Sequence, residues 1–143
     1  MIIVLIPIEE GRDPRSALDQ VVALNRQQPV LAYLLNVRTP LPSYVARFIS
    51  SRERRAFHHE NGMRAMREAI LRLDEAGIAH REEVRVGNKA ETILEVAREK
   101  RCSEIILDGH DGGLLSGLGL GSMRAQLRHL LPPGDSLRIR EAA

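Results

Sequence analysis

The chain has 143 residues, the usual length of one globular domain, so we expect residues 1–143 to form a single domain. Its 43% hydrophobic and 28% charged content is typical of a folded protein and excludes a disordered or fibrous one. The net charge is only +2, and the 3% aromatic content leaves few rings for stacking on bases, so we expect no nucleic-acid partner. The longest apolar run, residues 2–8, is too short to span a bilayer, which argues against a membrane partner.

The N-terminal apolar run does not have the flanks of a secretory signal. No basic residue precedes it, and Glu9 and Glu10 follow where small residues would surround a cleavage site. Cys102 is the only cysteine, so the chain can form no internal disulfide, in keeping with a reducing compartment. We therefore expect a cytoplasmic protein in which Cys102 is a small buried residue beside the fourth strand.

Apolar segments with the pattern of buried strands alternate with segments of helical period, in the order βαβαβαβαβ. The predicted strands are residues 2–8, 30–37, 80–86, 104–108 and 137–139, and the predicted helices are residues 13–27, 60–77, 88–97 and 122–131. This order predicts an α/β fold with a doubly wound, Rossmann-like sheet of five mainly parallel strands and helices on both faces. The first strand is expected at the centre, and the half-apolar last strand at an edge.

Several helix ends carry recognisable signals. Asp13 is a candidate N-cap before Pro14, Asn88 begins a capping-box spacing, and Gly77 is placed to end a helix in a left-handed conformation. Residues 39–59 contain two prolines and a cluster of arginines, which predicts a mobile loop or a short helix. The pair His58 and His59 is interpreted as a solvated helix end and is assigned no role.

A glycine-rich stretch, residues 109–121, follows the fourth strand and precedes a helix. Glycines allow backbone N–H groups to approach an anion, and a helix N-terminus adds unpaired N–H groups, so this stretch is suited to phosphate. A plain tether between strand and helix is the alternative. Neither the Walker pattern nor the complete dinucleotide pattern occurs. Asp108, His110 and Asp111 lack a fourth ligand at a recognisable spacing, and no serine has a positioned base, so we predict neither a metal site nor a catalytic residue.

The sequence resembles the universal stress protein family across almost its whole length, beginning with Ile6-Pro7-Ile8-Glu9. The best-matching stretches are residues 86–97, VGNKAETILEVA, and residues 103–109, SEIILDG. ATP-binding members of that family carry Gly-x2-Gly-x9-Gly-Ser/Thr. Gly109 and Gly112 match the first pair and Gly121 with Ser122 the closing pair, although eight residues instead of nine separate Gly112 from Gly121.

The resemblance implies the doubly wound fold and a site for ATP, which could arrive with Mg²⁺. Glu9 stands where ATP-binding members usually have an aspartate near adenine and ribose, and Val37 where a valine packs on the base. Asp108 and Met123 flank the glycine motif at positions that resemble backbone contacts. The predicted nucleotide-binding residues are therefore Glu9, Val37, Asp108, Gly109, Gly112, Gly121, Ser122 and Met123.

Two classes of function follow from the resemblance and the residues. The first is a nucleotide-binding regulatory module of the stress response, and the alternative is a dimeric scaffold or protein-interaction module that binds no nucleotide. Slow ATP hydrolysis without a dedicated base is a third, weaker reading. A homodimer is expected through the edge strand at residues 137–139, because a second copy of that strand would complete the sheet.

Overall fold

The computed structural model describes residues 1–108 and 122–142. Within these ranges five strands form one sheet, namely β1 (Ile2–Pro7), β2 (Val30–Arg38), β3 (Ala79–Val86), β4 (Glu104–Leu107) and β5 (Arg138–Glu141). Their order is β3-β2-β1-β4-β5, and each neighbouring pair is parallel. The predicted doubly wound parallel sheet is confirmed, with β1 at its centre and β5 at an edge.

Helices cover both faces of this sheet. They are α1 (Arg15–Gln27), α2 (Ser43–Ala46), α3 (Ser51–Glu75), α4 (Lys89–Glu99) and α5 (Met123–Leu130). Successive residues of β1 alternate between two apolar cores, because side chains along a strand point to opposite faces. Ile6 shares one core with Leu18 of α1 and Met66 of α3, whereas Leu5 shares the other with Leu94 of α4. Among the described residues, no helix is long and apolar enough to cross a membrane.

Helix α3 begins at Ser51, well before the predicted start at residue 60. The short helix α2 lies just before it in the chain. Ser50 caps α3, because its Oγ accepts a hydrogen bond from the Glu53 backbone N–H at 3.1 Å and donates one to Glu53 Oε1 at 3.0 Å. Ser50 and Glu53 have the sequence spacing of a capping box, with the Glu53 carboxylate on the Ser50 hydroxyl instead of its backbone N–H. Residues 39–59 were predicted as a mobile loop or a short helix, and they hold the short helix α2 together with the first turns of the long helix α3. The early start of α3 was not predicted, because the charged residues that follow Ser50 hide the helical period.

Two of the other three predicted helix ends are confirmed. Asn88 is the N-cap of α4, and its Oδ1 accepts from the Glu91 N–H at 3.1 Å. Asp13 is not the N-cap of α1, because Pro14 holds that position and α1 begins at Arg15, where the N–H donates to Asp13 Oδ1 at 2.9 Å. Gly77 has φ +68°, the left-handed conformation expected after α3. Cys102 is a buried free thiol, as predicted, and burial raises its pKa to about 11.

His80 of β3 ties this edge strand to the end of α3. Its Nε2 lies 2.6 Å from Asp74 Oδ1, and its Nδ1 contacts Glu82 Oε1. Burial alone would lower the pKa of His80, but the hydrogen bond to Asp74 and the charge of Glu82 together outweigh it and raise the pKa above 6.5. The folded protein therefore binds this proton more tightly than the unfolded chain does.

Linkage gives this contact a pH dependence of known sign. The stabilisation from His80 is complete below pH 6.5, the ordinary pKa of histidine, and is lost as the pH rises through the raised pKa. We expect the free energy of unfolding to fall in that range in the wild type and to fall less in His80→Gln. Urea unfolding between pH 5 and about 8.5 measures both slopes. Identical slopes above pH 6.5 would contradict the assignment. Burial lowers the pKa of His58, so protonation of His58 changes the free energy of unfolding only below pH 6.5, outside the range of this comparison.

Candidate functional site

The order of strands creates one position where the chain departs to opposite faces of the sheet. β1 leads to α1, which packs on one face, while its neighbour β4 precedes α5, which packs on the other. In open parallel sheets of this kind, ligands bind in the crevice outside the carboxyl ends of the two strands at this switch point. The crevice after β1 and β4 is therefore the candidate site.

Arg12 joins the two sides of this crevice. Its guanidinium lies 3.0 Å from Asp108 Oδ1, just after β4, and 3.6 Å from Glu9 Oε2, just after β1. The Asp108 side chain is 17% exposed and that of Arg12 is 29% exposed, so the pair is partly withdrawn from solvent. A partly buried, charge-assisted contact of this kind holds the ends of β1 and β4 at a fixed separation.

Glu9 is held from a second direction by the start of α4. Lys89, the first residue of that helix, places Nζ 3.2 Å from Glu9 Oε1. Glu9 therefore contacts two cations, Arg12 and Lys89. Together with Asp108, these side chains carry two negative and two positive charges. A phosphate that enters the crevice would have to draw Arg12 or Lys89 away from a carboxylate.

The N-terminus of α5 completes the described part of the crevice. Ser122 caps this helix by accepting a hydrogen bond from the Ala125 N–H at 3.1 Å, which leaves its hydroxyl proton available for donation. Met123, the first helical residue, lines a cleft of about 20 Å³ together with Asp108, Glu9 and Arg12. That volume is close to the minimum for one water molecule, so a nucleotide cannot be enclosed there unless the side chains part.

The structure thus brings together some of the residues predicted from the sequence. Glu9, Asp108 and Met123 line one cleft, and Ser122 begins the adjoining helix. Val37 lies in the neighbouring strand β2, where its side chain packs on the core beneath α4, and it does not line the cleft. Gly109, Gly112 and Gly121 lie outside the described residues, so their predicted contacts remain predictions.

Two functional candidates were not predicted from the sequence, namely Arg12 and Lys89. Both had a usable signal, because Arg12 follows a strand whose carboxyl end lies at the switch point and Lys89 opens the helix after another strand. What the sequence did not indicate is which carboxylates these two cations contact. Glu9 and Lys89 are far apart in the sequence, and only the parallel order of the strands brings them within 3.2 Å.

The fold and the crevice define a class of protein, the doubly wound α/β domain with a crevice at its switch point. The family model of the universal stress protein family matches residues 2–132. The chain therefore belongs to the universal stress protein family, as its sequence suggested. None of the curated proteins matches the chain.

Solved structures of universal stress proteins have the same fold. One from Archaeoglobus fulgidus has a TM-score of 0.69 at 12% identity, and the alignment covers 100% of this chain and 94% of that one. A universal stress protein in complex with cAMP has a TM-score of 0.66 at 17% identity, with 99% and 96% covered. A family protein from Arabidopsis thaliana with AMP bound has a TM-score of 0.65 at 13% identity, with 100% and 93% covered. At these identities the likeness shows the fold alone.

Proposed function

We propose that this protein binds an adenine nucleotide in the crevice at the carboxyl ends of β1 and β4 and acts as a regulatory module in the stress response. The observation that carries the proposal is the crevice itself, in which Arg12 contacts Asp108 and Met123, the first residue of α5, lines the same cleft. Structures of the same fold contain cAMP and AMP, which supports an adenine nucleotide.

The described residues of the crevice include hydrogen-bond donors and a cation of the types that bind phosphate. The N-terminus of α5 presents the positive end of the helix dipole, which favours an anion, and Ser122 can donate its hydroxyl proton. Arg12 supplies a guanidinium, which matches phosphate geometry in a bidentate manner. The glycines at 109, 112 and 121 are proposed to add further backbone donors.

Two carboxylates, those of Glu9 and Asp108, oppose an incoming phosphate. Binding must replace their contacts with Arg12 and Lys89, so we expect weak affinity for a free nucleotide. When Mg²⁺ accompanies ATP, it supplies positive charge that offsets these carboxylates. We therefore propose ATP with Mg²⁺ as the preferred form, and magnesium-free ATP as a weaker ligand.

The test is titration calorimetry of the purified protein with AMP, with ATP and with ATP plus Mg²⁺, using GTP plus Mg²⁺ as the control for the base. The proposal expects saturable binding of ATP plus Mg²⁺ that is weakened when Mg²⁺ is removed. Equal binding of GTP would contradict an adenine site. If no nucleotide binds, the result supports the scaffold alternative. That alternative is favoured by the ion pairs in the crevice, where Arg12 and Lys89 already contact carboxylates.

A homodimer through β5 is part of the same proposal. β5 lies at the edge of the sheet, and beside it an open groove of about 1030 Å³ runs between β5 and α5, lined in part by Leu131, Leu137 and Ile139. An edge strand with an apolar border is completed most simply by a second copy of itself. The dimer would then bury these apolar side chains.

We expect light scattering after gel filtration to give twice the monomer mass at tens of micromolar, a scale typical of micromolar affinity. Leu137→Lys should raise the dissociation constant at least about tenfold, because it would bury an unpaired charge. Leu130→Lys, on α5 outside the groove, is the matched control. A monomeric wild type, or equal effects of both variants, would count against this interface.

We also propose the cytoplasm as the compartment, because the only cysteine of the chain is a buried, free thiol and not half of a disulfide. A fluorescent fusion observed by microscopy tests this directly. Fluorescence confined to the cell envelope would refute it.

A further inference from the structure

A second cavity, of about 520 Å³, lies at the carboxyl ends of β2 and β3 and is separate from the crevice described above. It lies between the segment after β2, the first half of α3 and the end of β3. None of its lining residues is shared with the cleft at Glu9 and Asp108. Its volume is within the range of about 300–1,000 Å³ that is typical of small-molecule sites.

One side of this cavity is apolar. Val84 and Val86 of β3 face Leu41 and Ala46 from the segment after β2. Val86 is 46% exposed, so much of its apolar surface is open to a ligand in the cavity. A ligand with an apolar body would cover this side chain and gain about 25 cal/mol for each Å² removed from water.

The other side of the cavity is basic. Arg54 and His58, and Arg55 and His59, are two pairs spaced four residues apart on α3, so they project from one side of the helix and both pairs line the cavity. No carboxylate belongs to the described residues that line it. In the described part of the chain the Arg54 side chain has one hydrogen bond, at 3.4 Å to the Ala46 carbonyl, and the Arg55 side chain has neither an ion pair nor a hydrogen bond.

His58 is the most deeply buried of these basic residues. It is 7% exposed, and its Nδ1 has no hydrogen-bond partner among the described residues. Burial, and then the charges of Arg38 and Arg54, lower the pKa of His58. The imidazole therefore sits in a region of positive potential that an anion would relieve.

We propose that this cavity is a binding site for a small organic carboxylate, with the apolar body against Val84 and Val86 and the carboxylate at Arg54 and Arg55. The apolar side chains and the basic side chains line the same cavity. The two together favour a ligand that has both an apolar body and a negative charge. An inorganic anion would leave the valines uncovered, and an uncharged apolar molecule would leave the arginines unpaired. A nucleotide belongs to the other crevice, so this site is independent of the proposed function.

The test uses decanoate as the ligand. Decanol serves as an uncharged molecule with a ten-carbon tail, and inorganic phosphate as an anion that has no apolar tail. Methyl NMR spectra of the intact protein are recorded during each titration. We expect decanoate to saturate and to shift the methyl signals of Val84 and Val86, but not those of the core residue Val21, and we expect decanol and phosphate to bind at least about tenfold more weakly. Binding of decanol or phosphate as tight as that of decanoate would overturn the proposal, as would shifts confined to other methyl groups.

Variants on α3 then assign the basic wall. Arg55→Gln is expected to weaken decanoate binding about tenfold, the effect of losing one charge-assisted hydrogen bond. Arg52→Gln is the matched control, because Arg52 is an exposed arginine on the same helix that does not line the cavity. Unchanged affinity in both Arg55→Gln and Arg54→Gln, with folding verified by circular dichroism, would refute the site. Competition by saturating ATP plus Mg²⁺ would show that decanoate occupies the nucleotide crevice instead.

Discussion

Arg12→Gln is expected to weaken nucleotide binding about tenfold or more, whereas Asp108→Asn is expected to strengthen binding of magnesium-free AMP. Arg12 is the cation that can turn from Asp108 to a phosphate, and its loss removes a charge-assisted hydrogen bond worth about 1.5–3 kcal/mol. Asp108→Asn removes one of the charges that repel the phosphate. At close range in a solvated site this repulsion amounts to about 1 kcal/mol, or about fivefold in affinity.

Opposite directions in these two variants are what distinguish a phosphate site from a purely structural ion pair. Titration calorimetry with AMP measures the affinities, and thermal unfolding verifies that each variant is folded. Arg15→Gln is the control, because Arg15 is 69% exposed and pairs only with its neighbour Asp13 among the described residues. If Arg12→Gln and Asp108→Asn both left the affinity of a folded protein unchanged, the nucleotide would have to bind elsewhere.

Gly62→Ala is expected to destabilise the fold by about 1–3 kcal/mol, although alanine is the better helix former by about 1 kcal/mol. Gly62 lies within α3 where that helix crosses β3. A Cβ at this position would lie 2.5 Å and 2.6 Å from the two γ-methyl carbons of Val84, well inside the contact distance of about 3.5–4.0 Å. Overpacking therefore outweighs helix propensity at this residue.

A double-mutant cycle with Val84→Ala tests this explanation. Removing the γ-methyl groups should make Gly62→Ala less costly, with a favourable coupling energy of about 1 kcal/mol or more in urea unfolding. Glu68→Ala, an exposed position of the same helix, is expected to change the free energy of unfolding by no more than about 0.5 kcal/mol. Stabilisation by Gly62→Ala alone, as at an unconstrained helical glycine, would contradict the contact with Val84.

The fold was predictable from the sequence because its signals are local and repeated. The central strands contain apolar runs such as residues 2–8, and the alternation of strands with helices restricts the topology to a doubly wound sheet. The start of α3 was missed for the opposite reason. Its first turns carry charged residues and few apolar ones, and only the capping-box spacing of Ser50 and Glu53 indicates the true boundary.

The site was predictable in part. The resemblance to the universal stress protein family indicated Glu9 and Asp108, and the structure places both at the carboxyl ends of neighbouring parallel strands, at one edge of the sheet. The contacts that decide its chemistry were not predictable, since Arg12 lies 96 residues from Asp108 in the sequence. The cavity at α3 was hidden for the same reason. His58 and His59 looked like a solvated helix end until the structure placed Val84 opposite them.

The burial of Cys102 bears on how oxidants could act on this protein. With a pKa of about 11, the side chain is about one part in ten thousand thiolate at pH 7, and the thiolate is the form that attacks peroxides and disulfides. It is also the only cysteine in the sequence. The Cys102 thiol is therefore a slow target for oxidants in the folded protein at neutral pH, and it should become reactive mainly when unfolding exposes it.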